Sequence, residues 1–105
     1  MTSPSVRRLN DTARQSLQGC RVLLTAAVMA HPRRREIIER VRRYDRFDPA
    51  SDPYGEHDFG SFNMDEHVVF WKWDYLDSDL LQGSPDPSDP SVTTRVLTIM
   101  FAEDY

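Results

Sequence analysis

The sequence predicts an α+β fold: two helices packed on one face of a mainly antiparallel four-stranded sheet, in the order α-β-α-β-β-β. Three observations carry this. Apolar residues recur at helical spacing near the N-terminus and again over 33–46. Two apolar-rich segments, 57–64 and 67–76, flank the dipeptide Asp65-Glu66 and read as a hairpin. The segment VTTRVLTIMF is rich in β-branched residues and apolar on both alternating sets, which suits a central strand. A chain of 105 residues carries one core, so 1–105 is expected to be a single domain, with 1–4 frayed.

The first helix is expected to start with Ser3 as N-cap and Pro4 in the first turn, where a missing N–H costs nothing. Val6, Leu9, Ala13 and Leu17 share one face, Arg7, Arg8 and Arg14 face away, and Gly19 is the natural stop. In CRVLLTAAVM, residues 21–27 read as a buried strand, although a buried helix has the same pattern over this length. Next, HPRRREIIERVRRYDRF gives the clearest helix. Ile37, Val41 and Tyr44 form its stripe with Ile38 beside it, and arginines 33, 34, 35, 40, 42, 43 and 46 form its outer face.

The stretch DPASDPYGE (48–56) is a stiff loop, because proline disfavours helix at the residue before it. In the hairpin, a two-residue turn pairs residues whose numbers sum to 131. Phe62 then faces Val69, Gly60 faces Trp71 and His57 faces Asp74. The glycine lets the indole lie over bare backbone. Asp-Glu is a poor two-residue turn, lacking the glycine that supplies a positive φ. Trp71 and Trp73 share a face with Val69 and Tyr75 and are expected under the helices. A second stiff loop, 77–91, contains three prolines.

The net charge of −4 conceals a division. Residues 1–46 carry eleven arginines against four acids, a local balance of +7. Residues 47–105 carry Lys72 and Arg95 against thirteen acids, a balance of −11. Mutual neutralisation on folding is the expectation, with a nucleic-acid face or an acidic partner surface as alternatives. No apolar run approaches the ~20 residues needed to span a bilayer, and no apolar signal core stands at the N-terminus. A cytoplasmic location and no membrane partner are expected. Cys20, the one cysteine, reads as a small core residue and rules out an internal disulfide or a cysteine-rich zinc site.

Chemistry is sought first in PYGEHDFG (53–60), where Glu56, His57 and Asp58 stand together. Neighbours on an extended chain leave in opposite directions, so the three do not converge on one atom. The one economical cluster is His57 with Asp74 across the hairpin, aided by Glu56. Ser61 and Ser84 lie in no nucleophile elbow, His31 before Pro32 suits a helix start, and the glycines form no phosphate loop. No catalytic residue, metal or cofactor is assigned. Binding is expected to involve Tyr54, Glu56, His57, Asp58, Asp74, Arg40 and Arg43.

Four blocks in order, DPYGEHDFGSF, VFWKWDYLD, GSPDPSDP and VTTRVLTIMFAEDY, resemble a bacterial family of domains of unknown function, DUF3768, from about Leu9 to Tyr105. The family tends to carry a glycine near Glu66, absent here. The resemblance implies a small bacterial cytoplasmic protein and transfers no catalytic residue. The function expected is therefore a non-catalytic binding or adaptor domain with a protein partner. The alternatives are a metal-assisted hydrolase or nuclease using His57, Asp74 and Glu56, and nucleic-acid binding through the helix at 33–46.

Overall fold

The computed structural model describes residues 4–105, so the expected Ser3 cap and, of the expected fraying of 1–4, residues 1–3 lie outside the described residues, while Pro4 opens the first helix. The chain runs α1 (Pro4–Ser16), β1 (Arg21–Leu24), α2 (Ala26–Ala30), α3 (Arg34–Arg42), β2 (Phe59–Met64), β3 (His67–Leu76) and β4 (Thr94–Phe101). The class is α+β, as expected. Strand order is β1-β4-β3-β2. Both β2–β3 and β3–β4 are antiparallel, while β1 lies parallel to β4, so the sheet is mixed.

Three local boundaries differ from the sequence reading. Helix α1 stops at Ser16 rather than at Gly19, because Leu17 takes the left-handed conformation (φ 57) while its N–H still reaches the Ala13 carbonyl at 2.7 Å. That bend returns the Leu17 side chain to the core. Strand β1 ends at Leu24, and the alanine-rich stretch that follows becomes a third helix, α2, whose Val28 is fully buried. Helix α3 closes at Arg42, short of the expected 46. The chain then turns so that the Tyr44 and Phe47 rings meet Trp71 edge-on, at 5.4 and 6.1 Å.

The core lies between the helices and one sheet face. Ala13, Val28, Ile37 and Val41 pack against Met64, Val69, Trp71, Trp73, Leu97, Ile99 and Phe101. The strand residues are alternate members of β2, β3 and β4, as the period of two requires. The tryptophans are buried beneath the helices, as expected. Cys20 is half-buried against the same cluster, and burial raises its thiol pKa, so it behaves as a small apolar residue.

The hairpin register follows the expected sum, from Phe59↔Lys72 to Met64↔His67, including Gly60↔Trp71 and Phe62↔Val69. The two-residue turn forms without glycine because Asp65 accepts the positive φ of 54, which aspartate tolerates better than most residues. Arg33 from the segment before α3 bridges to its carboxylate.

β2 is an edge strand, and its free edge is partly capped. The Trp73 N–H donates to the Asp58 carbonyl, so even-numbered β2 residues bond to β3 and odd-numbered ones point their backbone groups outward. Two of those outward groups are met by side chains: the Ser61 N–H donates to the Tyr44 hydroxyl at 3.4 Å, and the Asn63 carbonyl accepts from Arg40 at 2.9 Å. Blunting an edge in this way removes a template for strand addition. Among the described residues no helix is long and apolar enough to cross a membrane.

Candidate functional site

The residues singled out in the sequence separate into two places. The first is a polar node where loop 48–58 meets α1. His57 adopts a positive φ of 55 and leaves the ladder, which ends at Phe59↔Lys72. Its Nδ1 donates to the Asp11 carboxylate, at 2.9 and 3.0 Å from the two oxygens. Its Nε2 lies 3.7 Å from the buried carboxylate of Asp52, which also accepts the His57 backbone N–H. The ring stacks flat on Phe47 at 3.7 Å. Both imidazole nitrogens thus face carboxylates. Asp11 is held in turn by Arg14, which is fully buried, donates to the Tyr44 carbonyl, and lies over the rings of Phe47 and Trp71.

The expected pairing of His57 with Asp74 is overturned. Asp74 stands opposite Val96 on β4, and its carboxylate meets Lys72 at 3.2 Å on the sheet face away from the helices. The positive φ at His57 turns the imidazole toward α1 instead. The His57–Asp74–Glu56 cluster is therefore not assembled, and among the described residues no three metal-ligating side chains gather around one point.

The Glu56 and Asp58 side chains interact with each other, and their charges act on the Tyr75 hydroxyl. The Glu56 carbonyl accepts from Asn10 at 3.0 Å, and the same amide donates to the Tyr75 hydroxyl at 2.7 Å. Asn10 Oδ1 accepts from the buried Arg95 at 2.9 Å. Arg95 also donates to the Pro87 carbonyl and lies over the Tyr75 ring. The sequence placed Arg14 on the outward face of α1; its burial overturns that, because the chain after α3 brings the Tyr44 carbonyl and the Phe47 ring against it. Nothing in sequence spacing flagged Asn10 or Arg95. Burial of a polar residue is a tertiary property.

Burial raises the Asp58 carboxyl above its ordinary value, and the neighbouring Glu56 and Asp52 charges add to that. A carboxyl raised on folding binds its proton more tightly in the folded chain. Stability should then fall as pH rises from the ordinary carboxylate range through the elevated Asp58 value. Asp58→Asn is expected to raise the urea midpoint at pH 7 and to flatten that segment of the profile. A lower midpoint for Asp58→Asn at pH 7 would show that the carboxylate's bond to its own backbone N–H outweighs burial.

The second place is a groove of about 490 Å³ between the end of α3 and the β2 edge. Arg40, Arg43, Tyr44, Asp45 and Arg46 form one wall; Ser61, Phe62 and Asn63 form the other. The volume falls in the range of small ligand sites. Arg40 stacks over Phe62 at 4.4 Å while holding the Asn63 carbonyl. Arg43 is largely exposed, touching Glu39 only at 3.4 Å. Among the described residues, the Arg46 guanidinium, the Ser61 hydroxyl and the Asn63 side-chain amide have no partner, although the Arg46 carbonyl accepts from the Tyr44 hydroxyl. The groove therefore offers free donors and two rings, with Asp45 as its single acid.

The other arginines of this segment are mostly engaged. Arg33 holds Glu36 and Asp65, Arg34 holds the Met29 carbonyl, and Arg42 holds Glu39 and the Gln15 carbonyl. Of the predicted binding residues, Arg40 and Arg43 line the groove, while Tyr54 is three-quarters exposed on its loop.

Residues 8–104 match the model of a family described as a protein of unknown function, DUF3768. The chain belongs to DUF3768. No curated protein and no solved structure matches it. In this DUF3768 chain the block DPYGEHDFGSF builds the polar node and opens β2, and VFWKWDYLD supplies the strand on which Gly60 and the tryptophans pack.

Proposed function

We propose that this protein is a non-catalytic binding domain that recognises an anionic, extended segment of a protein partner in the arginine-lined groove. One observation carries the reading: Arg43 and Arg46 stand at a concavity with unpartnered hydroxyl and amide donors, while the loop acids and His57 are turned to internal contacts. Charged donors around an aromatic floor suit carboxylates flanking an apolar side chain. A cytoplasmic bacterial setting accords with the free thiol of Cys20.

Metal-assisted hydrolysis has less support, since His57 and Asp74 point to different faces of the sheet. Nucleic-acid binding has less support as well. It needs a continuous row of free cations, and Arg33, Arg34, Arg40 and Arg42 are engaged.

A fluorescein-labelled acidic peptide, titrated by anisotropy, tests the proposal. Arg43→Glu with Arg46→Glu is expected to weaken binding by about tenfold or more while leaving the thermal midpoint unchanged, because both side chains are exposed. Binding that survives the double substitution, or no binding by wild type, would refute it.

A further inference from the structure

The occupant of the groove can be sought within the chain itself. Among the described residues, Asp77, Asp79, Asp86 and Asp89 of the loop after β3 are bridged to no arginine.

The acidic loop after β3 has a defined shape. Asp77 N–H donates to the Gln82 carbonyl at 2.9 Å, Leu80 N–H to the Asp77 carbonyl at 3.0 Å, and Leu81 N–H to the Asp77 carboxylate at 3.1 Å. Leu80 takes a positive φ of 62 at the tip, a conformation a bulky residue seldom adopts. The result is a closed loop, DSDLLQG, that holds Leu81 outward at 85% exposure. Asp79 beside it is exposed and has no partner among the described residues. A leucine with flanking carboxylates, fixed before any encounter, loses little entropy on docking.

This loop does not reach the groove of its own molecule. It leaves β3 at Leu76, whereas the groove's β2 residues lie opposite Val68 to Phe70. The gap is roughly 20–27 Å along the strand at about 3.3 Å per residue.

We infer that the groove receives the 77–83 loop of a second copy of this chain, Leu81 seating on the Phe62 and Tyr44 rings and the Asp77 and Asp79 carboxylates meeting Arg43 and Arg46. The inference rests on the groove being a site for anionic segments. Knob and groove are different patches, so the contact is heterologous and each copy offers one of each. One loop in one groove is a small interface, of the weak and concentration-dependent class.

The test uses two variants of the whole chain with substitutions at exposed positions: Leu81→Arg, which spoils the knob, and Arg43→Glu with Arg46→Glu, which spoils the groove. By sedimentation velocity, the wild-type mass is expected to rise with concentration and each variant alone to stay monomeric. A mixture of the two should recover a one-to-one complex, because the groove variant keeps its knob and the knob variant keeps its groove.

A monomeric wild type at every concentration, or a variant that self-associates unaided, would overturn the inference. Labelled peptides separate this failure from failure of the groove. If a leucine-free acidic peptide binds while DSDLLQG does not, the groove stands and the second copy falls. If neither binds, both fall. An oligonucleotide that binds through Arg43 and Arg46 with steep salt dependence would replace the second copy by nucleic acid.

Discussion

Gly60→Ala is expected to destabilise the fold by about 3 kcal/mol, near the upper end of ordinary overpacking. A Cβ at this position would lie 2.4 Å from Trp71 Nε1, 2.7 Å from Trp71 Cε2 and 2.7 Å from Tyr44 Cε2. These are not the far ends of flexible side chains. Trp71 is fully buried, and Tyr44 is held edge-on between Trp71 and Phe47. Something must move, and each candidate is wedged by its neighbours. For a domain of this size the thermal midpoint should drop by roughly 10–20 °C, followed by circular dichroism.

Trp71→Phe supplies the control. The indole Nε1 has no partner, so phenylalanine loses no hydrogen bond and leaves room for the added methyl. In a double-mutant cycle the two substitutions should cost less together than the sum of their separate effects. A loss under about 1 kcal/mol for Gly60→Ala would mean that the indole slides freely, and close packing would not be why this position is glycine.

The second large effect lies in the polar node. Asn10→Leu conserves volume but removes three hydrogen bonds at once: the acceptor for Arg95 and the donor to both Tyr75 and the Glu56 carbonyl. Asn10 is fully buried and Arg95 nearly so, so water does not readily replace the lost partners. Burial already pulls the Arg95 pKa down, the sign of a cation that depends on its remaining contacts. A cost of about 3 kcal/mol is expected, since leaving a buried charged donor unpaired exceeds the usual penalty for a neutral one.

Tyr75→Phe distinguishes pairing from volume. Alone it should cost about 1 kcal/mol; in the Asn10→Leu background, where the hydroxyl has already lost its donor, it should be neutral or stabilising. Urea midpoints of the four proteins decide the matter. Equal penalties for Tyr75→Phe in both backgrounds would dissolve the node into independent contacts.

The hairpin was readable from the sequence because its information is local. Side chains alternate, a two-residue turn sets the sum of partner numbers, and a glycine facing a tryptophan makes sense only in one register. The same periodicity placed Ile37 and Val41 under α3 and Trp71 and Trp73 under the helices. Where local preferences were evenly balanced, the reading slipped. Val22 to Ala27 suits strand or helix alike; β1 ends at Leu24, opposite Ile99 and two residues before β4 ends at Phe101, because the chain enters α2 at Ala26. His57 misled for the opposite reason. Strict alternation was assumed through His57, but its positive φ takes it out of the strand on which the Asp74 pairing depended.

By itself, then, the order of residues determined the α+β class, the hairpin register, the buried tryptophans and the split of charge between the two halves of the chain, because each depends on period or composition. Only the tertiary structure decided that Asn10, Arg14 and Arg95 are buried, that His57 faces Asp11 and Asp52, and that Arg43 and Arg46 border a groove. Those contacts join residues 30 to 85 positions apart or depend on which side of the sheet a loop crosses. Long-range proximity of that kind is a consequence of packing, and no short-range preference encodes it.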